Sequence, residues 1–192
     1  SIAIFGVIKR IIPKDVPNVD ICINDRPKRA KVLVLFLSEN NGGIEEILKF
    51  KTIDEYGRNN YRMPLKAIDY HKQRLKKIII ACSEKSYGDR DKFLKCVQNL
   101  FGKELADMTN VRCIKNFEDA KSVYKFLESV YSQLKQEGFI EDDIVFDVTG
   151  GQKAISIAGA MFAIPNDRHL QYVSTSDYTV KHYDLTYMQN EE

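Results

Sequence analysis

The chain has 192 residues, 44% of them hydrophobic, with 29 basic and 27 acidic side chains giving a formal net charge of +2. That length suffices for one domain burying roughly 70% of the surface its unfolded chain exposes, without disulfide or metal staples. The balance of charge excludes a general affinity for duplex nucleic acid or membrane surfaces, so any anion site has to be local.

The four cysteines, Cys22, Cys82, Cys96 and Cys113, have no C-x-x-C spacing. They read as buried free thiols of a reducing cytoplasm rather than as zinc ligands or a disulfide framework. Residue 1 is Ser, so the chain reads as starting inside a longer product. Ile2 to Ile8 is apolar and is followed by Lys9, Arg10 and Lys14, the order expected where a membrane span emerges on its cytoplasmic side. Seven residues cannot cross a bilayer, which takes about 20, and an ordinary strand or packed helix explains them as well. Residues 11–30, with Pro13, Pro17 and Pro27, read as a connector or irregular edge. Residues 1–30 are accordingly expected to be an N-terminal segment or linker, and 31–192 a single domain.

From Lys31 the pattern becomes regular. Val32 to Leu37 is a continuous apolar run, expected to be a strand buried on both faces, and it opens into the polar loop Ser38-Glu39-Asn40-Asn41-Gly42-Gly43. After Pro64, Leu65, Ile68 and Leu75 suit one face of a helix leading into a second buried strand, Ile78 to Cys82, which ends in Ser83-Glu84-Lys85-Ser86. Phe93, Val97, Leu100, Phe101 and Leu105 form a helical stripe, and Val111 to Ile114 a short strand. The longest helix is predicted from Phe117 through Leu134, with Asn116 as its N-cap and Gly138 as its stop. Ile144 to Val148 is a central strand. A helix carrying Ile155, Ala158, Met161 and Phe162 follows and closes before Pro165, and two strands, 170–174 and 179–187, complete the chain.

Short apolar strands alternating with helices predict an α/β fold: a Rossmann-like, mainly parallel sheet flanked by helices on both faces, with a C-terminal strand pair. Such sheets bind ligands beyond the C-terminal ends of their strands. Three loops expected there are 38–43, 83–86 and 149–153. In Asp147-Val148-Thr149-Gly150-Gly151-Gln152-Lys153 a strand turns directly into a helix, and the two glycines leave no side chain above the backbone. The N–H groups of the first helical turn then favour an anion such as a phosphodiester, assisted by the Thr149 hydroxyl and the Lys153 ammonium. A tight strand-to-helix turn with a solvated lysine is the alternative. The stretch is neither G-x-x-x-x-G-K-[ST] nor G-x-G-x-x-G, which argues against a nucleotide triphosphatase and a dinucleotide dehydrogenase. His71, His169 and His182 have no i, i+4 partner and do not read as a metal site.

The stretch Asp147 to Lys153, continuing Ala154-Ile155-Ser156-Ile157-Ala158, resembles the signature strand-turn-helix of CARF domains, the Rossmann-like sensors of type III CRISPR defence. The loops from Ser38 and Ser83 are similar to family loops that approach the ligand, and the resemblance spans roughly residues 31–187. It implies a homodimer that binds a cyclic oligoadenylate, most simply cyclic tetra-adenylate, across its two-fold axis. Carried over by position, Thr149, Gly150, Gly151 and Lys153 would hold phosphate and ribose, while Ser38, Asn40, Ser83 and Ser86 would contact ribose or adenine edges. Tyr87 or Tyr178 could stack on adenine. No cofactor or metal is implied.

Family members join the sensor to an output module, and this sequence contains no R-x-x-x-x-H ribonuclease motif and no metal-carboxylate nuclease pattern. With the apolar, then basic start, the resemblance points to a cytoplasmic domain attached to a membrane-spanning effector preceding residue 1, with a soluble standalone sensor, or one cut from a different effector, as the alternative. A ring nuclease is the competing enzyme reading, since some CARF domains cleave the ring they bind, although no general base is evident. A small-molecule α/β enzyme would need Ser156 or Asp147 beside the turn.

Overall fold

The computed structural model describes residues 18–40, 42–164 and 168–188. The apolar and basic stretch from Ile2 to Lys14, along with Asn41 and Pro165, lies outside the described residues. A seven-stranded sheet forms the centre, in the order β1-β7-β6-β5-β2-β3-β4. Its strands are β1 (Asn18–Asn24), β2 (Val32–Leu37), β3 (Lys77–Ser83), β4 (Thr109–Ile114), β5 (Ile144–Asp147), β6 (His169–Val173) and β7 (Val180–Met188). Strands β2 to β6 pair in parallel, whereas β7 runs antiparallel to β6 and β1 antiparallel to β7. This is the expected mainly parallel α/β sheet with a C-terminal antiparallel pair, and it also takes in residues 18–24, part of the stretch expected to be irregular.

Strand β2 owes its central position to its composition. All six residues from Val32 to Leu37 are buried, and their side chains alternate between two cores. Leu33, Leu35 and Leu37 pack with Ile78, Ile80, Cys82 and Val145 beneath α1 (Ile44–Ile47), α2 (Arg62–His71) and α3 (Arg90–Phe101). Val32, Val34 and Phe36 pack with Ile79, Phe146 and Leu170 beneath α5 (Ala120–Gln136) and α6 (Lys153–Phe162). Helices therefore cover both faces, which is why these strands read as unbroken apolar runs.

Several helix ends differ from the sequence expectation for local reasons. Helix α2 stops at His71, so Leu75 is buried from the following loop. The stripe from Phe93 to Leu105 is two helices, α3 and α4 (Lys103–Asp107), broken at Gly102 with φ +93°. Asp119, not Asn116, caps α5 by accepting the Lys121 N–H. Asn116 instead accepts the Glu118 N–H in the preceding turn, which leaves Phe117 in that turn, outside the helix. Gly138, at φ +91°, follows the end of α5 as expected. Of the cysteines, Cys82 and Cys96 are buried, but Cys22 and Cys113 are exposed, which corrects the expectation of four buried thiols.

Candidate functional site

Strands β2 and β5 are adjacent and parallel, but the chain leaves β2 toward β3 and leaves β5 toward β6. Connections departing in opposite directions open a crevice between the two strand ends. A cavity of about 660 Å³ lies there. Four loops wall it: Ser38 and Glu39 after β2, Ser83 to Lys85 after β3, Lys115 to Glu118 after β4, and Gly151 and Gln152 after β5, with Asn60 closing one side.

The glycine pair is required by this geometry. A Cβ on Gly150 would lie 1.9 Å from the Phe36 carbonyl oxygen, and one on Gly151 would lie 2.1 Å from Ile155 Cδ1. Gly151 also has φ +100°, a region that side chains other than glycine's disfavour. The turn is braced on both sides. Thr149 N–H donates to Asp147 Oδ1 at 2.9 Å, the Thr149 hydroxyl accepts the Val173 N–H at 2.6 Å, and Gly151 N–H donates to Ser38 Oγ at 2.9 Å. Two of the turn's amides are thus used within the protein. The first-turn amides of α6 are different: its N-cap, Gln152, is extended at φ −92° and ψ 169° and makes no side-chain cap. The Ile155 N–H donates to the Gln152 carbonyl at 2.9 Å, whereas the Lys153 and Ala154 amides precede any intrahelical acceptor and start beside Gly151 and Gln152 on the cavity wall.

The residues singled out from the sequence fall into three groups. Ser38, Ser83 and Gly151 line the cavity. Lys153 is exposed at the first position of α6, next to Gln152. Asn40, Ser86, Thr149 and Gly150 sit behind the wall. Asn40 is largely buried, with its amide paired to Asn59, its N–H donated to Asp89 Oδ2, and its Oδ1 accepting the Gly42 N–H. Lys92 ties the same cluster together through Asp89 Oδ1 and the Asn40 carbonyl. Ser86, 1% exposed, exchanges hydrogen bonds with Ser83: its Oγ accepts the Ser83 N–H at 2.9 Å and its N–H donates back at 3.1 Å. These contacts shape the loops. Tyr87 and Tyr178 each have one ring face covered by an arginine, Arg90 at 4.3 Å and Arg62 at 3.5 Å, and the aromatic group on the cavity wall is Phe117.

Sequence reasoning overlooked Asn60, Lys115, Asn116, Phe117 and Glu118 as wall residues. The last four follow β4, so the same rule that places a ligand beyond strand C-termini covers them. Chemically, the wall brings together Lys85 and Lys115, suited to phosphate oxygens, with Glu39, Glu84 and Glu118 and with Asn60 and Asn116, and α6 starts one residue beyond Gln152. Carboxylates and amides suit ribose hydroxyls and base edges.

Beneath the turn, Asp147 is 1% exposed. Burial pushes its carboxyl above the usual carboxylate range, opposed by hydrogen bonds from Thr149 and Gln171. No set of three or more His, Cys, Asp or Glu side chains among the described residues is arranged to hold a metal. No helix among the described residues is long and apolar enough to cross a membrane.

No protein-family model matches the chain. A protein of Aquifex aeolicus (strain VF5), described as uncharacterized, is 29% identical over 190 aligned positions that take in 90% of this chain. The chain spans 60% of that relative's length. Among solved structures, Can2 from Sulfobacillus thermosulfidooxidans in complex with cyclic tetra-adenylate superposes with a TM-score of 0.53 at 12% identity, over 84% of this chain and 36% of Can2. A type III CRISPR defence DNA nuclease activated by cyclic oligoadenylate gives 0.47 at 12% identity, over 76% of this chain and 19% of the nuclease. At these identities the Can2 likeness establishes a shared fold.

Proposed function

We propose that the chain is a CARF-type sensor domain that binds a cyclic oligoadenylate, cyclic tetra-adenylate before other ring sizes, across a homodimer and controls an attached output module. The observation that carries this reading is the Gly150–Gly151 turn. It lies at the point where the strand order reverses, its glycines carry no side chain, Gly151 lines the cavity, and α6 begins beside it without a side-chain cap. Helix N-termini of this kind hold phosphates through N–H groups and the helix dipole. The cavity also offers lysines for phosphate and carboxylates and amides for nucleosides, and the fold is shared with a protein whose structure holds cyclic tetra-adenylate.

A ring of four identical nucleotides has two-fold symmetry, so an isologous dimer gives each half of it the same groups. Helix α6 supports a dimer. Its outer face carries Ile157 and Met161, and Ile164 follows just beyond its end, 56%, 55% and 40% exposed, on the same element whose N-terminus faces the cavity. The apolar, then basic residues from Ile2 to Lys14 favour a membrane-spanning output attached there. The test is titration with cyclic tetra-adenylate while the mass of the complex is followed. One ring per two chains is the expected result, and absence of binding at micromolar protein overturns the reading.

A ring-nuclease activity has one observation in its favour: Glu39, Glu84 and Glu118 line the cavity. A carboxylate there can take the proton of a ribose 2′-hydroxyl as its oxygen attacks the adjacent phosphorus. The bond to the 5′-oxygen breaks, leaving a 2′,3′-cyclic phosphate and a 5′-hydroxyl that gains a proton. Linear products after incubation would make the protein an enzyme; an intact ring would leave it a sensor.

A further inference from the structure

Three polar side chains are buried on the α2 face of the sheet: Gln171 is fully buried, and His71 and Asp147 are each 1% exposed. Well-packed apolar groups of similar volume would occupy this space at lower desolvation cost. Their hydrogen bonds form one line. Ala30 N–H donates to His71 Nδ1 at 2.9 Å, His71 Nε2 lies 2.7 Å from Gln171 Oε1, and Gln171 Nε2 donates to Asp147 Oδ2 at 2.8 Å. Asp147 Oδ1 then accepts the Thr149 N–H.

The direction of this line is set at one end. A backbone N–H can only donate, so His71 Nδ1 carries a lone pair and the ring proton sits on Nε2. That turns the Gln171 carbonyl toward His71 and its amine toward Asp147, and leaves Asp147 accepting on both oxygens. The other end of the line is the turn that meets the cavity. There the glycine pair has the widest conformational freedom of any dipeptide, so its geometry has to be imposed by neighbours. Strand β6 imposes it at two further points, where Val148 N–H donates to the Gln171 carbonyl at 3.0 Å and Val173 N–H to the Thr149 hydroxyl.

We infer that His71 and Gln171 are positioning residues of the cavity: acting through Asp147, they hold Thr149–Gly151 in the conformation that presents the α6 amides to a ligand. The inference rests on the reading of that turn as the ligand site.

The donor and acceptor pattern supplies its own test. Asp147→Asn keeps the shape but sets an amine against either the Gln171 amine or the Thr149 N–H, whichever way its amide turns. Gln171→Glu sets a second carboxylate against Asp147. Made together, the two substitutions restore every match. His71 donates to the carboxylate at 171, the new amine at 147 donates to that same carboxylate, and Thr149 donates to the carbonyl at 147.

Two quantities are measured in the folded proteins: affinity for cyclic tetra-adenylate by calorimetry, and hydrogen exchange of the Thr149 amide without ligand by NMR. Each single variant is expected to lose about tenfold or more in affinity and to exchange Thr149 about tenfold faster, with the pair returning both to within about threefold of wild type. Single variants that melt at lower temperature yet keep wild-type affinity and exchange would reduce the line to a purely structural role and overturn the inference. So would a pair as impaired as the two singles combined. If a single variant does not fold, recovery of the fold and of Thr149 protection in the pair supports the inference, and a pair that stays unfolded overturns it. The exchange measurement needs no ligand, so wild-type protein that ignores the ring removes the functional reading while exchange still decides the line.

Discussion

The hydroxyl of Ser38 accepts the N–H of Gly151 at 2.9 Å, clasping the end of β2 to the turn that follows β5. These are the strands between which the crevice opens, so the bond ties two of the cavity's walls together. Its own O–H proton is left to donate elsewhere. Ser38→Ala should lower stability by about 0.5–1.5 kcal/mol, the net contribution of one hydrogen bond. It should weaken ring binding by more than that stability change implies, because the Gly151 amide then loses its fixed direction. Urea unfolding and calorimetry on the same samples separate the two effects.

The two glycines should not tolerate alanine equally. At Gly150 the added methyl meets the Phe36 backbone oxygen at 1.9 Å, and backbone in a central strand cannot move aside. At Gly151 the obstacle is the tip of the Ile155 side chain, which can rotate, although φ +100° adds strain. Gly150→Ala is expected to cost about 3 kcal/mol, the upper range for overpacking, and Gly151→Ala about 1–2 kcal/mol, the cost of forcing a Cβ into a left-handed conformation. Equal denaturation midpoints for the two variants would contradict this ordering.

Much of this architecture is legible in the sequence because burial on both faces leaves an unmistakable apolar run, as in Val32 to Leu37 and Ile78 to Cys82. Strand β1 carries a weaker signal. Val19, Ile21 and Ile23 alternate with Asp20, Cys22 and Asn24, but β1 is a sheet edge between Pro17 and Pro27 and it exposes Ile21 and Ile23. The wall after β4 was hidden for another reason: Asn116 and Phe117 fit a helix start, and only the Asp119 cap moves that start three residues on. Which loop polar groups turn inward is not a local property. Asn40 is engaged by Asn59 and Asp89, and the Thr149 hydroxyl by Val173, partners that sequence spacing does not bring together.

Acid should destabilise the fold through His71. Burial, foremost, lowers its pKa from 6.5 to about 4, so between those values the unfolded chain takes up a proton that the folded chain refuses. Stability is therefore undiminished by this group above 6.5. It declines as pH falls toward about 4, by up to roughly 1.4 kcal/mol per pH unit and about 3 kcal/mol in total. Asp147 acts in the opposite sense, since its raised pKa means that the folded state holds a proton longer as pH rises. His71→Gln, which can still accept from Ala30 or donate toward Gln171 but does not titrate, isolates the histidine. Unfolding measured across that pH range should fall less steeply in the variant, and parallel curves would show that His71 is not the group responsible.

If the ligand is a phosphodiester ring, Lys85 and Lys115 should contribute through charge. Each lines the cavity, whereas Lys153 stands one residue beyond its rim. Lys85→Ala and Lys115→Ala are each expected to weaken binding about three- to tenfold and to flatten the salt dependence of affinity, because fewer ionic contacts are screened. Lys153→Ala tests the remaining carry-over from the sequence. A fall in affinity with unchanged stability supports direct contact, and unchanged affinity removes that lysine from the site.

Helix α6 joins the cavity to the proposed dimer, and one substitution tests that connection. Met161 is 55% exposed between Ile157 and Ile164, while Ile155, Ala158 and Phe162 on the opposite side are buried in the core. Exposed substitutions seldom change monomer stability by more than about 0.5 kcal/mol, so Met161→Glu should leave thermal unfolding of the monomer unchanged. In an isologous interface the same substitution appears twice near the axis and sets two carboxylates against apolar surface. Light scattering should then report a monomer where wild type is expected to be a dimer, and the ring, offered half a site, should bind at least about a hundredfold more weakly. A variant that remains dimeric and binds normally would move the interface away from α6, and with it the two-fold arrangement of the ligand.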